Sequence, residues 1–221
     1  MRHLNNSTAG GRLRPQKSSS RRVPGVQRRR VSPPAAPGRD NDQAVCIKPA
    51  VCQIIGYKNS GKTSLVCALI PLLKQGGTRV AVIKHDGHEY DMDHPGTDTW
   101  KQRQAGAMAV AITSTARTSV IEERGSSLFE LIKGFSGYDY VLVEGFKQEA
   151  YPKIVLIRRP EDLELLQNTA NIAAIAAWER MIPYIHSAVP QPQAQVFEIN
   201  DSAGMANLLH QQRSNFQNFN I

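Results

Sequence analysis

An α/β fold, with a mostly parallel sheet covered by helices on both faces, is what this sequence predicts from Val51 onward. Two observations predict it: short apolar runs alternate with segments of helical spacing, and no internal repeat interrupts the alternation. A third sharpens it. In "QIIGYKNSGKTSLV" (residues 53–66) a strand-like run enters a glycine-rich loop that opens directly into a helix-like run.

The elements follow in order. "VCQII" (51–55) has the pattern of a strand buried on both faces. "KTSLVCALIPLLKQ" (62–75) repeats Leu65, Leu69, Leu72 and Leu73 at helical spacing and is stopped by Gly76-Gly77, with Pro71 expected to kink its last turn. "RVAVIK" (79–84) is a second strand. A polar loop leads to a short helix at 98–106, for which Asp98 is the expected N-cap. "AMAVAIT" (107–113), "TSVIEE" (118–123) and "YDYVLVEG" (138–145) are further strands, and a helix over 126–135 separates the last two. "KIVLIRR" (153–159), "NIAAIAA" (171–177) and "VFEIN" (196–200) continue the strands, and a helix over 202–212 closes the series.

Charge divides the chain at about residue 46. Of 27 Lys/Arg and 19 Asp/Glu, residues 1–46 hold ten basic and two acidic, leaving seventeen of each in residues 47–221. The basic character therefore belongs to the tail. Rich in Pro, Gly, Ser and Arg and without an aromatic residue, this tail (1–46) is expected to be disordered, beside one folded domain over 47–221. It lacks the apolar core of a secretory signal, and its prolines oppose the amphipathic helix of a transit peptide. No run of 18 apolar residues predicts a transmembrane helix. Cys46, Cys52 and Cys67 have no metal-type spacing and form no even disulfide set; Cys52 and Cys67 are expected as small core residues of a cytoplasmic protein.

Gly56-Tyr57-Lys58-Asn59-Ser60-Gly61-Lys62-Thr63 matches the phosphate-loop pattern G-x-x-x-x-G-K-[ST] at every fixed position. Glycines let the backbone curl so that successive N–H groups meet phosphate oxygens, and the positive end of the following helix adds to that field. Gly56, Asn59, Ser60, Gly61, Lys62, Thr63 and Ser64 are thus candidate nucleotide-binding residues. Lys62 is expected on the β- and γ-phosphates and the Thr63 hydroxyl on Mg²⁺. A phosphate loop also needs an acid at a neighbouring strand end for the metal. Glu144, after the apolar run 140–143, is the first candidate. Gly145 is expected to leave room for the γ-phosphate. Asp86, just past the second strand, is the candidate to hold the metal through water or to orient an attacking water, the one catalytic role assigned. His85 and His88 flank it as loop residues. No N-K-x-D segment reads guanine, so the base stays open from these residues alone. Catalytic glutamine and arginine-rich lid are both missing, and Arg103, Arg117, Arg158 and Arg159 read as scattered, solvated charges.

Five phrases together resemble the molybdopterin-guanine dinucleotide biosynthesis adapter family, MobB, whose members are P-loop NTPases: "GYKNSGKTSL" (56–65), "VAVIKHDGH" (80–88), "DHPGTDTWKQRQAGA" (93–107), "LVEGFK" (142–147) and "PKIVLIR" (152–158). The resemblance covers roughly residues 50–160. It implies a GTP-binding accessory protein, homodimeric and at most a weak GTPase. Such a protein assists the molybdenum cofactor guanylyltransferase in joining GMP to molybdopterin, and direct contact with molybdopterin is left open. It also implies that GTP and Mg²⁺ are held by the loop residues and Glu144, and that the 93–98 loop and "EGFK" border the same pocket. Thr97 departs from the pattern, since relatives are expected to carry Lys there. The alternative is a small-molecule kinase or ligase on the same scaffold. A nucleic-acid role through the basic tail ranks below both.

Overall fold

Ala50–Ile55 is apolar at five of its six positions. In the structure, a computed structural model that describes residues 48–188 and 194–218, all six are buried as strand β1. β5 (Tyr140–Glu144) and β6 (Lys153–Ile157) flank it, both parallel to it. β2 (Val80–Lys84) lies outside β5, while β7 (Ile172–Ala177) and β8 (Gln195–Glu198) extend the sheet beyond β6. The order is β2-β5-β1-β6-β7-β8, and every pairing is parallel. Strands at the centre of such a sheet have no solvent face, which explains why β1, β5 and β6 show no polar alternation.

Successive side chains of a strand point to opposite faces, and both faces of this sheet are covered. Cys52 and Ile54 of β1, with Tyr140, Leu142, Ile154 and Leu156, pack under α1 (Lys62–Leu73), α6 (Ser202–Gln211) and α7 (Arg213–Gln217). On the other face, Val51, Val141 and Val143 meet Leu128 and Ile132 of α3 (Leu128–Gly134). Next to them Ile55, Val155 and Ile175 meet Leu165 of α4 (Glu164–Asn168) and Ile185 of α5 (Ile182–Ala188).

Several expectations change here. The runs at 107–113 and 118–123 become β3 (Ala109–Thr113) and β4 (Thr118–Glu122), but they pair only with each other, as an antiparallel hairpin outside the main sheet. Val110 is the one buried residue of β3. The helix near 98, α2 (Asp98–Gln104), is capped by Thr97 and not by Asp98. Thr97 keeps an extended backbone and its hydroxyl accepts from the Trp100 amide at 3.3 Å. Asp98 instead sits in the first turn, where its charge opposes the positive helix end. Helix α1 runs through Pro71 to Leu73, and the left-handed Gly76 (φ 74°) and Gly77 (φ 81°) turn the chain afterwards. Cys52 is buried, which pushes its thiol up to about 12, but Cys67 is exposed because α1 buries Leu65, Val66, Leu69 and Leu73 instead. Among the described residues no helix is long and apolar enough to cross a membrane. The tail reading of residues 1–46, and Cys46 with it, lies outside the described residues.

Candidate nucleotide-binding site

Ligands of open parallel sheets bind beyond the carboxyl ends of the strands, and the candidate residues gather at that edge. β1 delivers Gly56, β2 delivers His85 and Asp86, and β5 ends on Glu144. The loop's shape follows from its sequence. A Cβ on Gly56 would stand 2.5 Å from the Ser60 hydroxyl oxygen and 3.1 Å from Leu156 Cβ, so only glycine fits there. Asn59 (φ 63°) and Gly61 (φ 100°) take left-handed backbone, a conformation that asparagine and glycine tolerate best. The Leu65 amide donates to Gly61 O at 2.9 Å as the first helical bond, so the amides of residues 62–64 precede it and face outward. Ser60 is buried, and its hydroxyl has no protein partner.

Lys62 folds back on the loop. Its Nζ donates to Gly56 O at 3.1 Å and to Tyr57 O at 2.8 Å. Burial holds this ammonium below the ordinary lysine range; Glu144 opposes the shift, and Lys147 and Lys84 add to it. Beside it the Thr63 hydroxyl donates to the Glu144 carboxylate, with Oε1 at 2.9 Å and Oε2 at 3.0 Å. Lys84 Nζ lies 3.9 Å from the same carboxylate. Glu144 is buried, and its backbone carbonyl accepts from the His85 amide at 2.8 Å, which carries the chain of β2 past the end of β5.

Asn59, Ser60, Gly61, Lys62, Thr63, Ser64, Asp86 and Glu144 all line one cavity of about 680 Å³. Gly56 and Gly145 are not among its lining residues. At Gly145 (φ 103°), expected to leave room for a γ-phosphate, a Cβ would meet His85 Cβ at 3.0 Å and His85 O at 3.3 Å. Its glycine is thus required by backbone conformation and by the close approach of β2. The 93–98 loop does not line the cavity either. His85 and His88 do, alongside Asp86, whose Oδ1 accepts from the His88 amide at 3.2 Å. Among the described residues no three His, Cys, Asp or Glu side chains are grouped to hold a metal. Mg²⁺ keeps several waters and takes one or two carboxylates besides phosphate oxygens. Thr63 and Glu144 form such a donor pair, with Asp86 on the same cavity.

Several neighbours of the loop escaped sequence reasoning. Gln53 is buried within β1 and its Nε2 donates to Gly145 O (3.1 Å) and Phe146 O (2.6 Å), fixing the turn after β5. Tyr57 donates to Glu164 and lies under Lys147, whose Nζ is 4.1 Å from the ring centroid. Arg158, read as a solvated charge, donates from Nη1 to Asn59 O and stacks on Trp178. Arg103 is likewise engaged: it reaches Asp91 at 2.9 Å, Asp93 at 3.5 Å and Glu123 at 2.6 Å, tying the loop before α2 to the end of the hairpin. An arginine directly after an apolar strand is the one signal that pointed to Arg158.

Residues 51–178 match the family model described as molybdopterin guanine dinucleotide synthesis protein B. The molybdopterin-guanine dinucleotide biosynthesis adapter protein of Haemophilus influenzae is 39% identical over 127 residues, 56% of this chain and 71% of that one. A probable adapter protein of the same name from Bacillus subtilis is 32% identical over 165 residues, 73% of this chain and 92% of that one. Among solved structures, a MobB homolog from Bacillus stearothermophilus superposes with a TM-score of 0.55 at 29% identity, covering 75% of this chain and 99% of its own. Bacillus subtilis MobB superposes with a TM-score of 0.61 at 27% identity, covering 74% and 97%. The fold, the phosphate loop and these likenesses agree, and the chain belongs to the molybdopterin guanine dinucleotide synthesis protein B family.

Proposed function

We propose that this chain is a cytoplasmic GTP-binding accessory protein of molybdenum cofactor biosynthesis, which assists the guanylyltransferase that joins GMP to molybdopterin. The observation that carries the nucleotide part is the Thr63–Glu144 contact, at 2.9 and 3.0 Å, beside a phosphate loop whose lysine is held ready on its own carbonyls. The pathway part is supported by the names of the relatives.

In this reading the loop amides and Lys62 bind the phosphates, while Thr63, Glu144 and Asp86 hold Mg²⁺ directly or through water. The bound ion supplies charge neutralisation at the β- and γ-oxygens. Asp86 is exposed on the cavity wall and orients a water there. The cations lining the cavity are Lys58, Lys62 and Lys84, with no arginine among the described lining residues. In this reading the site holds the triphosphate for a partner enzyme and hydrolyses it weakly at most. Homodimerisation belongs to the same reading, supported by the β3–β4 hairpin. A lone two-stranded ribbon is marginal by itself, and this one leaves Met108, Ile112 and Val120 exposed.

Calorimetric titration with GTP, ATP and GDP, each with and without Mg²⁺, tests the proposal. GTP is expected to bind more tightly than ATP and to need Mg²⁺ for full affinity. Equal affinity for ATP removes the guanine part, and rapid phosphate transfer to a small metabolite removes the accessory role.

A further inference from the structure

The acids and the Thr63 hydroxyl put the terminal phosphates on the β2–β5 side of the loop, and the nucleoside has to leave on the other. We propose that its base, a purine, packs at the carboxyl ends of β7 and β8 against the indole of Trp178, which Arg158 ties to the phosphate loop. This rests on reading the cavity as a nucleoside triphosphate site.

The loop already leans that way. A Cβ on Gly61 would lie 3.9 Å from Leu156 of β6 and 4.0 Å from Ile199, the residue that follows β8. A ligand running along the start of α1 therefore passes over the ends of β6, β7 and β8. Trp178 is the first residue after β7, and its amide donates to Ile157 O at 3.1 Å, holding it at the sheet edge. The Ile199 amide donates to Ala177 O at 2.7 Å, so the end of β8 stands beside it. Despite its size and apolar character, Trp178 is 36% exposed.

Its orientation is set by Arg158. The guanidinium lies 5.1 Å from the indole centroid while its Nη1 donates to Asn59 O within the loop. The Arg158 backbone is fixed in turn: its amide donates to the buried Asp162 carboxylate at 2.7 Å, and its carbonyl accepts from Arg180 at 3.4 Å. Arg158 thus connects phosphate loop to indole. Tyr57, the loop's own aromatic residue, is occupied by Glu164 and Lys147. Stacking on an indole gives affinity for any base and discriminates weakly between guanine and adenine, so the subsite supplies binding more than choice. Arg158 is a positioning residue, acting through Trp178.

Binding of GTP and of inorganic tripolyphosphate, both with Mg²⁺, separates the base from the phosphates. Trp178→Ala is expected to weaken GTP about tenfold and to leave tripolyphosphate within about twofold. Trp178→Phe is expected to keep most GTP affinity and to lose the fluorescence quench expected on GTP binding to the native chain, and Arg158→Ala to weaken GTP less than Trp178→Ala does. Unchanged GTP affinity in Trp178→Ala, or equal loss for both ligands, overturns the subsite. A native chain that binds tripolyphosphate as tightly as GTP overturns it too, while leaving the phosphate site intact. A native chain that binds neither overturns the nucleotide reading on which the subsite rests.

Discussion

Lys62 is the residue on which the site turns, because its ammonium bridges two carbonyls of the phosphate loop, Gly56 O and Tyr57 O. Lys62→Ala removes that charge without leaving a buried acid unpaired, so the chain is expected to fold and melt nearly as before. GTP affinity is expected to fall about 100-fold or more, the loss of a charge-assisted contact to phosphate. Unchanged affinity in calorimetry would falsify the assignment of Lys62 to the phosphates. The pH dependence has a definite sign. Burial lowers the Lys62 pKa from 10.5, with Glu144 acting against it and Lys147 and Lys84 with it. In the free protein the cation is lost as pH rises through that lowered value. GTP affinity should therefore decline with rising alkaline pH earlier than an ordinary lysine, at about 10.4, would allow. Glu144 and Thr63 were legible as parts of one site because a strand-end acid beside a phosphate loop is a candidate metal partner, while the hydrogen bond between them was not. Gly145 was read as room for a γ-phosphate, and its contact with His85 was not legible because that residue follows a strand 60 positions earlier in the chain.

At the scale of elements, what the sequence revealed depended on whether the signal was local. The strand–loop–helix of β1 and α1 carries its fold in its own residues: an apolar run, two glycines, then helical leucines. The run that became β3 is as apolar as true sheet strands, yet β3 and β4 stand outside the sheet and Val110 is the one buried residue of the pair, because a local apolar pattern says nothing of which strand is the partner. Thr97 against Asp98 was a shift of one residue, decided by which side chain reaches the Trp100 amide. The Arg103 contacts with Asp91, Asp93 and Glu123, and that of Arg158 with Trp178, join segments far apart in sequence, where no spacing rule applies. Asp139, at the entrance of β5, is another such junction. It accepts from the Arg79 amide at 2.8 Å and from Arg213 of α7 at 3.0 Å, joining β2, β5 and the last described helix. Desolvation pushes its carboxyl up, but these donors outweigh it and hold the pKa below 3.8. A depressed carboxylate contributes stability that is present above the unfolded value and is lost as pH falls through the folded one. Asp139→Asn is expected to cost about 1–3 kcal/mol at neutral pH, with the gap between the two chains closing as the pH of a urea titration is lowered below 3.8. A gap that persists unchanged into acid shows that the pair contributes through packing and not through charge.

For the whole molecule, charge and core part company. The residues that fill both faces of the sheet run from Ala50 to Phe216, and within 47–221 the seventeen basic and seventeen acidic residues cancel. The surplus of eight positive charges all lies in residues 1–46. If the folded body needs nothing from that stretch, its removal alters the electrostatics of the chain and little else. A chain beginning at residue 47 is therefore expected to bind GTP within about twofold of the full chain and to match its stability within about 0.5 kcal/mol, the range of changes that touch no core or cap. Its affinity for polyanions at low salt should drop sharply, because that affinity follows the number of cations brought to the anion. Scanning calorimetry of both chains, with and without GTP, reads the first pair of quantities, and a salt titration of RNA binding reads the third. A melting temperature lowered by several degrees would mean that residues 1–46 pack on the body. RNA binding that depends on GTP and vanishes with those residues would turn the tail from a charged appendage into a working part, and would move the chain's role toward nucleic acid.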